Sequence, residues 1–221
     1  MDTMHAISHA AVESMPPASR FSAADSAVIR EHADFLLTLG PELVATFYDT
    51  LFAHPPTAAV FVEGERGARE STLSQWWRRT VYGPHDDAYF AWMAMVGLVH
   101  VARGVNNSMM LAMADLTVSV VTRAVAIDRA VDPEASDVGR AQVPDAFRRL
   151  AATVGAIISY GYDQSVAAAL YNIAGMPEAL LRRLLDHEMS QALPVARAEL
   201  SAPAPTLAPA TPMPVEGGVQ A

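Results

Sequence analysis

Residues 86–104 read DDAYFAWMAMVGLVHVARG, and this stretch decides the fold. Asp86 and Asp87 are helix-start residues, and Gly104 is a stop. Between them the side chains are apolar nearly all round, with no alternation of period two. That pattern predicts a helix buried in a bundle rather than a strand or a surface helix. Its apolar run, 88–102, falls short of the roughly 20 residues that span a bilayer. One imidazole interrupts it. His100 follows Tyr89, Met93 and Val96 along one row of the helix. Burying a polar group without a partner costs several kcal/mol, so His100 needs a reason to be there.

Two readings answer that need. His100 is a core histidine bonded to a backbone carbonyl, or it is a metal ligand. A single histidine, with no second His or carboxylate at ligand spacing, does not suit zinc. It suits haem, where the porphyrin supplies four nitrogens and the protein one imidazole. On that reading Nδ1–H bonds a carbonyl one turn back, near Val96. Gly97 then lets a flat ligand approach the helix.

Outward from this stretch the chain reads as further helices. The signals predict helices over 22–39, 41–53, 66–82, 107–128, 144–171 and 177–190, with a short apolar segment at 57–62. Ser22 and Asp25 open the first, Pro41 the second, and Asn106 to Ser108 cap the 107–128 helix. Gly40-Pro41, Gly83-Pro84 and Gly175-Met176-Pro177 are the breaks. Residues 1–20 lack periodicity and read as a flexible segment. Residues 191–221 are rich in Ala and Pro and read as a disordered tail. The fold class is all-α, with one folded domain over 21–190.

The 41–53 helix places Tyr48 on a wide apolar stripe with Phe47, Leu51 and Phe52. A buried phenol seeks a hydrogen-bond partner, so Tyr48 reaches solvent or serves as donor to a ligand. The 66–82 helix offers Thr72, Gln75, Trp76 and Trp77. The two adjacent tryptophans cannot both face one core, so one lines an interface or a ligand. Met93, Met95 and Met109 suit an adaptable apolar pocket or ordinary core. Arg78, Arg79 and Arg103 are candidates to pair with propionates. The remaining histidines, His32 and His85 among them, read as solvated.

Composition narrows the chemistry. The 221 residues carry a formal net charge of −9, with a pI near 5.1. An acidic chain is a poor match for nucleic acid or anionic lipid. With no cysteine there is no disulfide, thiolate-bound metal, iron–sulfur cluster or thiol catalysis. No lysine occurs either, which removes P-loop and Schiff-base chemistry. The first residues show no basic segment before an apolar run, so a cytoplasmic protein with no membrane partner is expected.

The blocks FYDTL at 47–51, TL at 72–73, YGPHDDAY at 82–89 and GLVHVARG at 97–104 together resemble the sensor-globin and protoglobin family. The resemblance covers roughly 25–172 and lies in the order and spacing of the blocks and the lone histidine. It implies a modified globin fold with an extra N-terminal helix, to which this chain adds a C-terminal helix extension. It implies haem b as cofactor, with His100 as iron ligand, Tyr48 as distal donor and Thr72 as a second distal polar residue. Trp76, Met93, Val96 and Gly97 complete the expected haem contacts. It also implies a homodimer through the last two long helices.

The chain departs from the family in two places. Arg103 stands three residues after the histidine instead of two, and Asn107-Ser108-Met109 replaces an aromatic pair. A helix and a Pro/Ala-rich tail stand where many relatives carry an output domain. The expectation is a single-domain sensor or carrier of diatomic gases (O2, CO, NO), not an enzyme, acting on a separate signalling partner. The alternatives are a haem enzyme of NO-dioxygenase or nitrite-reductase type, and a haem-free globin-like interaction module.

Overall fold

The computed structural model describes residues 3–131 and 138–201. The elements are α1 (Met4–Ser14), α2 (Ala23–Glu31), α3 (Ala33–Thr38), α4 (Gly40–Ala53), α5 (Pro55–Ala58), α6 (Arg66–Tyr82), α7 (Asp87–Ala102), α8 (Asn107–Val131), α9 (Val143–Ala174) and α10 (Glu178–Ser201). Short 3-10 turns lie at Pro17–Ser19 and Val138–Gln142, and no strand occurs among the described residues. The chain divides into two units, Met1–Ala169 and Leu170–Ala221.

Local chemistry sets the helix ends. Ser22 and Asp25 form a capping box on α2: the Ser22 hydroxyl accepts from the Asp25 amide, and the Asp25 carboxylate accepts from the Ser22 amide. Asp86 accepts from the Tyr89 amide at 2.9 Å to open α7, and Asn106 accepts from the Met109 amide at 2.9 Å to open α8. Gly83 ends α6 with φ of 69°, a conformation that favours glycine.

The core of the first unit brings α6, α7, α8 and α9 together with the α2–α3 segment. Trp77 is 1% exposed; its indole N–H donates to the Leu36 carbonyl at 3.1 Å and its ring stacks on Phe147. Tyr89 is fully buried and shares a 2.9 Å hydrogen bond with the Thr80 hydroxyl. Each such large side chain contributes about 2–3 kcal/mol of burial.

Several expectations are corrected. Residues 1–20 are not simply flexible, because α1 packs its Ile7 and Ala11 against α7. The expected 22–39 helix is broken at His32, whose φ and ψ are −101° and 22°. His32 is buried, not solvated, with Nδ1 bonded to the Val28 carbonyl at 2.9 Å. His85 is also partly buried. Its Nε2–H donates to the Thr80 carbonyl at 2.7 Å and its Nδ1 accepts from the Ser26 hydroxyl at 2.9 Å. In each case protein partners replace water: for His32 a carbonyl one turn back, for His85 the distant Ser26 hydroxyl as well.

The last helix runs beyond 190 to Ser201 and includes Pro194. It has no buried residue, so the carbonyl that Pro194 leaves unpaired faces water. The rest of the expected tail, 202–221, lies outside the described residues. On length and apolarity Asn107–Asp128 passes the test for a membrane span, with mean hydropathy 1.6, which the shorter 88–102 run does not. It nonetheless carries Asp115 and Arg123, and Val120, Val121 and Val125 belong to the core.

Candidate haem site

The site is built from α7 and α4. On α7 the row expected to face inward does so: Tyr89 and Met93 are buried, and Val96 is half-buried against the core. His100 lies on the same row, half-buried. Neither ring nitrogen makes a hydrogen bond among the described residues, and Nδ1 is shut off from solvent. The expected bond from Nδ1 to a carbonyl near Val96 is absent. Burial, with Arg103's charge added, holds the His100 imidazole below its ordinary pKa. The ring is therefore neutral at pH 7 and offers a lone pair.

On α4 Tyr48 is 6% exposed, ringed by Phe47, Phe52 and Phe61 at centroid distances of 5.5, 6.4 and 6.0 Å. Its hydroxyl makes no hydrogen bond among the described residues. Burial pushes its pKa up to about 12, with Arg69 and Arg103 pulling against it and Glu70 and Glu65 adding to it. Tyr48 thus keeps its proton at neutral pH and is available as a donor.

Other expected site residues stand elsewhere. Gly97 faces α9, where a Cβ on it would come within 3.2 Å of the Ile158 Cα. Its lack of a side chain admits another helix, not a flat ligand. Thr72 is exposed, and its hydroxyl donates to the Ala68 carbonyl of its own helix at 3.0 Å. Nothing directs it toward Tyr48. Trp77 took the core position, and Trp76 is left half-buried beside it.

Of the arginines, Arg79 lies over the Trp92 ring at 4.1 Å, and Arg78 lines a groove of about 710 Å³ between α4 and α6. Of these three, only Arg103 acts on both Tyr48 and His100. Its Nη2 donates to the Glu65 carboxylate at 2.5 Å. Reading the sequence missed Glu65 and Phe61. The Glu65–Arg69 spacing of four was a visible helix-pair signal, whereas Arg103 is 38 residues away.

Among the described residues no group of three or more His, Asp or Glu side chains gathers to hold a metal ion. What the site provides is one neutral imidazole in an apolar wall of an all-helical bundle. A protoglobin family model matches residues 10–176, more than half of the chain. The chain belongs to the protoglobin family, and its fold is an all-α globin fold, with α10 lying beyond the matched part. No curated protein sequence matches it. Membership implies a haem, and the residues present fit one: an orphaned, uncharged imidazole is what a porphyrin iron takes as its protein ligand.

Proposed function

We propose that this protein binds haem b through His100 and takes up a diatomic gas (O2, CO or NO), as a single-domain sensor or carrier. The observation that carries the reading is the half-buried, uncharged His100 imidazole in an apolar helix face, with no hydrogen-bond partner among the described residues. A neutral imidazole offers a metal the lone pair of the ring nitrogen that carries no proton. When bound, haem would supply an iron that takes up a small gas. His100 would hold that iron. Tyr48, protonated and without a partner in its own fold, is the hydroxyl that donates to the gas.

The expected homodimer uses α8 and α9. In support, the 18-residue apolar window of α8 is only 33% buried within the chain, and Ile127 on α8 and Val166 on α9 are exposed. Signal output then falls to a separate partner that binds the gas-bound and gas-free states differently. A cytoplasmic location suits such a role.

The test is an absorption spectrum of the purified, haem-reconstituted protein as isolated, reduced and CO-bound. A Soret band that shifts on reduction and again on CO supports the reading. A featureless spectrum after reconstitution overturns it and leaves the haem-free interaction module. Steady-state NO consumption with a reductase present would move the function to the haem-enzyme alternative.

A further inference from the structure

The start of α6 and the end of α7 are joined by a cluster that no gas-binding role has yet used. Glu65 stands just before α6. Its Oε1 accepts from the Arg69 Nε–H at 2.5 Å, and its Oε2 accepts from the Arg103 Nη2–H at 2.5 Å and from the Val62 amide at 3.1 Å. Arg103 follows α7 and also donates to the Val60 carbonyl at 3.3 Å, with its guanidinium 5.9 Å from the Phe61 ring centroid. One carboxylate therefore serves two arginines and a backbone amide, with its side chain only 13% exposed. Such shared, charge-assisted bonds hold far better than an isolated surface pair.

The placement of this cluster gives it a consequence. Its loop side, residues 60–65, carries Phe61, which packs on both Tyr48 and Phe52. Its helix side is Arg103, three residues after His100. The Tyr48 side of the site and the His100 side are thus strapped together through Arg103, which bonds both the Glu65 carboxylate and the Val60 carbonyl. Arg103 and Glu65 both act electrostatically on Tyr48, and Arg103 on His100 as well.

We propose that the Glu65–Arg103 pair is a clasp that ties loop 60–65, packed on Tyr48, to the end of α7 beside His100, so that it sets how fast haem leaves and how fast a gas enters. This rests on the haem reading above. Glu65 and Arg103 are positioning residues that act through the loop, not ligands of the haem. Opening the clasp frees Phe61 from the Arg103 side and lets the loop swing off Tyr48.

The test uses the full-length, haem-loaded chain. Haem transfer to excess apomyoglobin is followed at the Soret band, and CO rebinding is followed after flash photolysis. E65Q and R103Q are expected to lose haem about tenfold faster, the scale of losing a charged hydrogen bond, and to rebind CO faster. The double variant is expected to be no faster than R103Q alone, because R103Q already removes the bond to Glu65. E65D, which keeps the carboxylate, is expected to recover much of the wild-type rate.

R123Q is the control. Arg123 pairs with Glu42 on the surface, both side chains more than half exposed, so R123Q is expected to retain haem normally. If E65Q and R103Q match wild type, or if R123Q loses haem as fast as they do, the clasp is overturned while the haem reading stands. If E65Q fails to fold, R103Q decides. Wild-type protein that takes up no haem overturns both the clasp and the reading it rests on.

Discussion

His100 is set apart from the other histidines by what surrounds it. His32 and His85 have backbone and hydroxyl partners in the fold, and His100 has none. The sequence singles out His100 because an imidazole inside an apolar helix is visible in the residue pattern. It gives no such sign for the burial of His32 or His85, because burial is set by which helices pack around them. A cavity left by H100G should still accept free imidazole. We expect H100G to lack the wild-type Soret spectrum and to regain it when millimolar imidazole is added; no recovery would mean that His100 supports the fold rather than the iron.

Asp25 is the other residue with a sharp expectation. Burial alone would raise its carboxyl, but the Arg149 guanidinium and the Ser22 hydroxyl and amide outweigh burial and hold it below the usual range. A carboxyl lowered by folding stabilises above its unfolded value, about 3.9. That contribution fades as pH falls through the folded value. D25N should cost about 2 kcal/mol at pH 7. The gap from wild type should narrow below about pH 4, as urea unfolding at several pH values would show. A gap constant with pH would refute the ion-pair account.

Among the elements, α7 is the one whose position matters to function, since it carries His100 and packs on both α1 and α9. Its limits were legible because capping depends on the nearest few residues: Asp86 at the start, Gly104 beyond the end. Its facing was only half legible. The row Tyr89–Met93–Val96 points inward as the period of 3.6 requires, but Gly97 serves the contact with Ile158. Replacing a helix-interior glycine normally helps a helix. Here G97V should lower stability by about 2 kcal/mol through overpacking. On the haem reading it should also shift the Soret maximum, because α7 is levered one turn before His100. A thermal melt and a spectrum together check this, and an unchanged melt would place Gly97 away from the helix contact.

For the whole molecule, the apolar surface left on α8 and α9 sets the expected assembly. Residues such as Ile127, 57% exposed, gain nothing from facing water. Sedimentation of the wild type should give a dimer, and I127D combined with V166D should give a monomer that keeps its Soret band. A wild type that stays monomeric at every concentration would sink the dimer reading.

From the sequence alone come the helical class, most helix ends, and the one imidazole without an evident partner. Each of these depends on hydrogen bonds and periodicity within a few residues. The tertiary structure decided which side chains meet. Trp77 finds Leu36, Gly97 finds Ile158, and Arg103 finds Glu65. These partners lie tens of residues apart, where spacing carries no information and only the packing of whole helices chooses the pair. The same packing turned Thr72 out to solvent and His32 into the core.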